Sequence, residues 1–534
     1  MADTLITNAR VVDGTGAPWF EGAVVIADGK LAAVTRESDP AIDAETTIDA
    51  DGRVVCPGFI DTHSHSDMAL FDDPTLAPKV RQGITTEILG QDGFSMAPMY
   101  RDGGVDEWSK QLGALAGQSD VAWTWGSVGD YLDAVEANGI GPNVGILVGH
   151  GTVRFDQLGM SDRAPTEEEL AAMAELVTEG LEDGALGFST GLIYTPCTYA
   201  DTDEVRTLAS RLEPFGRPFV AHVRSEGRWI WDALDEFVDI GAETNVPLHL
   251  SHFKVAGLEQ HGTAGRATTL VEVARDRGVD FTAEQYPYTA ASTMLSAVLP
   301  PWVHADGPEA TIRQLSDEAT RERIRRDIEE WRIDGWENIG ALTGWDGVVV
   351  SSVESKDNAD VEGMSVAALA ERRNVDPVEA VCDLLIDEAL AVSAVFHMMA
   401  ERDVREILTT ERVCVGTDGL FGGNPHPRVY GSYPRILGTY VREENLLSLE
   451  EAVRKMTSLP ARIMGLDHKG IVRPGMDADL VVFDPVRVAS RATYEKPRQY
   501  PQGIDHVIVG GEPVVRDGEL TGETPGVAIR KGVE

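Results

Sequence analysis

Cysteine is scarce and unpatterned. Cys56, Cys197, Cys382 and Cys414 are scattered through 534 residues without CxxC spacing, which suggests neither a zinc ribbon nor a disulfide framework and points to a reducing compartment. Long apolar runs are missing too: no stretch reaches the about 18 residues that span a bilayer. The first residues, MADTLITNARVVDG, lack the basic and apolar regions of a secretory leader. The expectation is a soluble cytoplasmic protein with no membrane partner. Positive charge is in deficit, with 46 Lys and Arg against 88 Asp and Glu and a net charge of −42. Such a surface repels polyanions, so nucleic acid and anionic lipid are excluded as partners. An acidic excess with Arg favoured over Lys also suits a surface kept solvated at high salt, and it says nothing of catalysis. Solenoid repeats and low-complexity tracts are absent.

What is present is a chain that is 43% hydrophobic, long enough to bury a large core. Both ends alternate short β-rich stretches with turns: TLITNARVVDG, EGAVVIADGKLAAV and TTIDADGRVVCPG at one end, RPGMDADLVVFDP and DHVIVGGEPVVRDGEL at the other. Neither end alone has enough strands to bury a core, so together they are expected to build one small β-sandwich domain from residues 1–56 and 466–534. Between them, strand-like apolar runs alternate with helical segments such as TEEELAAMAELVTEGLEDG. The candidate strands lie in VVCPGFIDTHSH, GITTEILG, VGILVGH, ALGFSTG, RPFVAHVRSE, VPLHLSHFK, VDFTAEQYPY and RVCVGTDG. Eight strands separated by helices predict an α/β fold, a (β/α)8 TIM-like barrel over residues 57–465, with catalytic groups at the C-terminal strand ends. About 120 residues separate the last two candidates, too many for an ordinary connection. An insertion at about 286–345, rich in Pro and Trp, is expected there as a cover for the site.

Polar residues cluster at those strand ends. His63 and His65 in DTHSH point to the same side of an extended chain and can grip one cation. His222 in FVAHVRSE and His252 in LHLSHFK end later strands, and a closed barrel brings these imidazoles to one mouth. Asp418, in CVGTDG, ends the last strand with a carboxylate able to bind a metal or shuttle a proton. A lone strand-end histidine is commonly structural; four of the twelve in the chain at successive strand ends argue for a site.

With those residues in place, the chain resembles the amidohydrolase superfamily. The stretches GFSTGLIYTP, HVRSEG, SHFKVAG, YPYTAASTMLSAVLPPW, HPRVYGSYPRILGTYV and GIVRPGMDADLVVFDP resemble its N-acyl-D-amino-acid deacylase (D-aminoacylase) branch. Members that cleave cyclic amides rely on a carbamylated Lys from the fourth strand, and no Lys occurs here between Lys110 and Lys254. In the D-aminoacylases a Cys after the second strand holds the metal with the two later His residues; in the matching stretch GQDGFSMAP, Asp92 takes that place. The resemblance implies Zn²⁺ on Asp92, His222 and His252 with a fourth position open to water, and a second, weaker site on His63 and His65. A carboxylate is a harder ligand than thiolate, which leaves room for another divalent metal. Asp418 is the implied proton carrier.

The resemblance also points to Lys254, Tyr286 and Arg428 as groups that meet the substrate carboxylate or carbonyl. Each has a plainer reading: a support for a ligand, a packing aromatic and a surface cation. For His150, Tyr194 and His426 the plainer reading, a core or supporting residue, is preferred. The expected activity is hydrolysis of the amide bond of a small N-acyl-D-amino acid to a carboxylate and a free D-amino acid, the D preference coming from resemblance alone. The alternatives are another amide on the same site (an N-acyl-D-glutamate or N-acyl-D-aspartate, a dipeptide or a cyclic imide), a barrel that binds without turnover, and, lower, a base deaminase.

Overall fold

In the computed structural model, which describes residues 2–116 and 121–532, the apolar segments form parallel strands β1 (Phe59–Asp61), β2 (Ile84–Leu89), β3 (Asn143–Gly149), β4 (Gly187–Gly191), β5 (Phe219–His222), β6 (Leu248–Leu250), β7 (Phe281–Gln285) and β8 (Val413–Val415). Neighbours in sequence are neighbours in the sheet from β1 to β8. Every residue of these strands is buried, because helices cover the outside while side chains fill the inside. The expected strands are all found. So is the helix in TEEELAAMAELVTEGLEDG, which runs from Glu167 to Glu182 and starts at Thr166, where Thr166 and Glu169 cap each other's backbone N–H groups. The N-terminal end of the barrel is plugged: Ile60, Ile88, Leu147, Leu186 and Val220 pack against Met464 and Leu466. This is a filled interior rather than a pore.

The chain ends meet in one nine-stranded sheet, in which Val54–Pro57 pairs with Ala2–Val11 on one side and with Leu480–Phe483 on the other. Gly58 separates that sheet from β1; a Cβ there would lie 2.0 Å from the Thr85 hydroxyl. The chain beyond the nine-stranded sheet returns to the barrel. Val144 N–H donates to Val527 and Ile529 N–H to the Val144 carbonyl, which ties the C-terminus across the base of β3. Between β7 and β8 the chain builds a layer of its own, a three-stranded antiparallel sheet of Ala291–Met294, Ser393–Phe396 and Val348–Ser352. Helices pack on it around a separate apolar cluster that includes Leu295, Val350, Val381 and Phe396.

No ladder joins β8 to β1 in the sheet order. Side chains and a single parallel bridge between Ser64 and Gly419 close that seam. Lys79, fully buried, reaches Asp61 on β1, Glu87 on β2 and Ser64, each at 2.8 Å, and Thr417 beyond β8 at 3.0 Å. Thr417 N–H donates to Asp61 at 2.8 Å, and Asp418 N–H donates to the His63 carbonyl at 2.8 Å. Burial disfavours the ammonium, yet Asp61 and Glu87 outweigh it and hold the Lys79 pKa above its ordinary value. Lys79 therefore stays charged, held between the two carboxylates. Lys79→Met, which keeps the stem and removes the one cation between two buried carboxylates, is expected to cost about 3–5 kcal/mol in chemical denaturation. A loss below about 1 kcal/mol, within the range of an exposed ion pair, would assign closure of the seam to the backbone alone.

Candidate metal centre

The C-terminal strand ends converge as expected. His63 and His65 follow β1, Asp92 follows β2, His222 ends β5, His252 follows β6 and Asp418 follows β8. All are buried. Asp92, His252 and Asp418 have positive φ values of 56°, 33° and 50°, a region that side chains other than glycine rarely adopt. The backbone therefore turns sharply at each strand end and carries its side chain inward, an arrangement maintained only where the surroundings impose it.

Two sets of atoms face each other across Asp92. Its Oδ2 lies 3.4 Å from His63 Nε2 and 3.5 Å from His65 Nε2, and those two nitrogens are 3.3 Å apart. Asp418 Oδ1 joins this set at 3.6 Å from His63 and 3.4 Å from His65. The other oxygen, Asp92 Oδ1, lies 3.5 Å from His252 Nε2 and 3.9 Å from His222 Nδ1. The candidate donor atoms within each set all fall within 4.8 Å of one another. Asp92 Oδ1 and both ring nitrogens of His222 are buried without a hydrogen-bond partner. Orphaned acceptors turned toward one point fit a cation, because burying them unpaired is costly and a metal satisfies them together.

The electrostatics agree. Burial opposes charge on His63, but Asp92 and Asp418 overcome it and push its pKa well above the ordinary value. A field that draws a proton there also draws a metal ion. Burial lowers His222 to about 4, so it is a neutral imidazole with a lone pair to give. Against its burial, Asp418 is held below the usual carboxylate range by Arg428 and His63; Arg428 Nη1 is 2.8 Å from its Oδ2.

A supporting ring orients these groups. Glu284 Oε1 sits 2.8 Å from His63 Nδ1 and accepts the His252 backbone N–H at 2.6 Å, while its Oε2 contacts His249. Burial works against ionisation of Glu284, but His249 and His63 bring its pKa down to about 2. Glu226 Oε1 lies 2.9 Å from His252 Nδ1 and 2.6 Å from Lys254 Nζ. These carboxylates were not anticipated from the chain, although Glu226 stands four residues after His222, within HVRSEG, and that spacing was the available signal.

Lys254, Tyr286 and Arg428 all lie at the site. Arg428 is fully buried rather than a surface cation, 4.6 Å from the Tyr286 ring, and the Tyr286 hydroxyl is buried without a partner. His150 stands aside, 2.8 Å from Thr190 Oγ1 and 3.0 Å from Glu204. Tyr194 touches His222 edge-on with ring centres 5.2 Å apart, and His426 accepts the Arg428 N–H at 3.0 Å. A cavity opens on His222, His252 and Asp418, and the layer between β7 and β8 supplies Glu337, Ile339, Phe396 and Met398 to its wall. Burial raises Glu337 to about 7, with Glu226 adding to the shift.

The comparisons with known proteins agree with this geometry. Residues 46–515 match the model of the amidohydrolase family. The chain is 34% identical to a D-aminoacylase of Alcaligenes xylosoxydans xylosoxydans over 99% of its own length and 98% of the relative's. It is 35% identical to an N-acyl-D-glutamate deacylase of the same organism over 95% and 93%. The crystal structure of an N-acyl-D-glutamate deacylase from Bordetella bronchiseptica, complexed with zinc and a phosphonate mimic of the tetrahedral intermediate, superposes with a TM-score of 0.84 at 32% identity, covering 99% of both chains. With the strand-end cluster, the near-closed barrel and likeness over almost the whole length in agreement, the chain belongs to the amidohydrolase family, among the D-aminoacylases and N-acyl-D-amino-acid deacylases.

Proposed function

We propose that the protein hydrolyses the amide bond of N-acyl-D-amino acids, releasing a carboxylate and the free D-amino acid. The observation that carries this reading is the Asp92 carboxylate, whose two oxygens face two separate sets of imidazoles beside the Asp418 carboxylate. His222, His252 and Asp92 would hold a tight zinc ion, and His63 and His65, with Asp92 and Asp418 beside them, would offer a second, weaker place. A carboxylate bridge suits zinc and accepts harder divalent ions as well. When bound there, the cation supplies a water nucleophile at neutral pH and polarises the scissile carbonyl.

The chain's own groups do the rest. Asp418, kept ionised by Arg428, takes a proton from the attacking water and returns it to the departing amine. Its position over His63 and His65 confines that proton to the mouth of the barrel. Arg428 and the unpaired Tyr286 hydroxyl receive the substrate α-carboxylate. Lys254, steadied by Glu226, orients His252. The layer between β7 and β8 forms part of the wall that the substrate would meet. Four buried free cysteines support a reducing compartment, the cytoplasm, as its location. No helix among the described residues is long and apolar enough to cross a membrane.

Elemental analysis of the purified protein is expected to find zinc, and matched N-acetyl-D and N-acetyl-L amino acids are expected to release amine from the D form alone. Metal without cleavage of either enantiomer would move the substrate to other amides; a chain that cannot be loaded with metal would end the catalytic reading. His222→Ala is expected to lose the tight ion, read as metal per chain after dialysis, and unchanged stoichiometry would remove it from the ligands. Asp418→Asn should keep that ion and lose about 10²–10⁴-fold in kcat. Ordinary turnover in that variant would take the proton-carrying role away from Asp418.

A further inference from the structure

Relatives that act on different side chains are about equally similar to this chain, at 34% and 35% identity, so likeness does not choose the substrate. The cavity does. Beyond the imidazoles, its lining cation is Lys254, and Lys254 Nζ is already spent on Glu226 at 2.6 Å. Glu226, Glu337 and Asp418 line the same space. Glu337 is fixed at the wall by the Ser225 hydroxyl, which donates to Oε2 at 2.5 Å, and by the Glu226 backbone N–H, which donates to Oε1 at 3.1 Å. It is 4% exposed. The remaining wall is apolar, built by Ile193, Ile339, Phe396 and Met398. Arg428, facing Asp418 at 2.8 Å, has been assigned to the α-carboxylate that every N-acyl amino acid carries.

We infer that this pocket takes N-acyl-D-amino acids with uncharged, apolar side chains and rejects aspartate and glutamate side chains, and that Glu337 is the residue that sets the preference. The inference rests on the deacylase reading above. A second carboxylate would enter a buried space in which Lys254 is already paired and three acidic side chains, Glu226, Glu337 and Asp418, stand at the wall. Desolvating a charge without a partner is costly, and placing it beside the ionised Glu226 and Asp418, and beside Glu337 in the fraction that is ionised, adds to the cost. An aliphatic or thioether side chain meets Ile339, Phe396 and Met398 instead and gains by leaving water. Glu337 comes from the layer between β7 and β8, so selectivity resides in that layer and the chemistry in the barrel.

The test uses the metal-loaded full chain with N-acetyl-D-leucine, N-acetyl-D-methionine, N-acetyl-D-glutamate and N-acetyl-D-aspartate. The apolar pair is expected to exceed the acidic pair by about 100-fold or more in kcat/KM, the scale of an unpaired like charge. Glu337→Gln, similar in shape, is expected to narrow that gap through a lower KM for the acidic pair, with metal content unchanged. Equal or better cleavage of the acidic pair by the natural chain overturns the inference while leaving the deacylase reading intact, as does a ratio that Glu337→Gln does not move. If nothing in the panel is cleaved, the deacylase reading fails, and thermal stabilisation still reads the pocket. Protection by N-acetyl-D-leucine and none by N-acetyl-D-glutamate supports the preference; protection by the glutamate alone, or by neither, overturns it.

Discussion

Asp61, Glu87, Asp92, Glu226, Glu284 and Asp418 are all buried at one end of the barrel, and a carboxylate removed from water must find compensating charge or hydrogen bonds. Most of them find it within the chain. Lys79 serves Asp61 and Glu87, Lys254 serves Glu226, Arg428 serves Asp418, and Glu284 binds His63, His249 and the His252 backbone. Asp92 is different: it faces imidazoles on both sides, and its Oδ1 has no hydrogen-bond donor. What the protein leaves unbalanced is the place where a metal belongs.

The same requirement orders the barrel. The seam between β1 and β8 lacks a ladder, and Lys79 with Asp61, Glu87 and Thr417 ties it together directly behind His63, His65 and Asp418. Closure of the fold and placement of the ligands are thus one network. The positive φ at Asp92, His252 and Asp418 is stored there as well, sustained by packing that cannot relax without opening the mouth.

Chemistry and selectivity come from different parts of the chain. Strand ends of the barrel present the imidazoles and carboxylates of the candidate metal centre, while the layer between β7 and β8, with its own apolar core, brings Glu337, Ile339, Phe396 and Met398 to the wall beside them. Such a division lets a wall change without disturbing the strand ends, as sites grafted on one fold allow.

The barrel was legible in the chain because its strands are short, apolar and regularly interleaved with helices, a pattern that only burial on both faces requires. That His63, His65, His222, His252 and Asp418 come together was legible for a related reason: each follows or ends an apolar run, and a closed sheet gathers such positions at one end. Other features were set only by the tertiary structure. Nothing in the sequence tells that the two oxygens of Asp92 face two different sets of imidazoles, since that depends on the backbone turn at residue 92 and on the separation of β1, β5 and β6. Nor does it tell that Lys79 is buried under the site, that Arg428 turns inward onto Asp418, or that Glu337 reaches the cavity from a distant layer. Strand periodicity is local and can be read along the chain. The pairing of buried charges joins residues hundreds of positions apart, and only the folded barrel brings them within reach of one another.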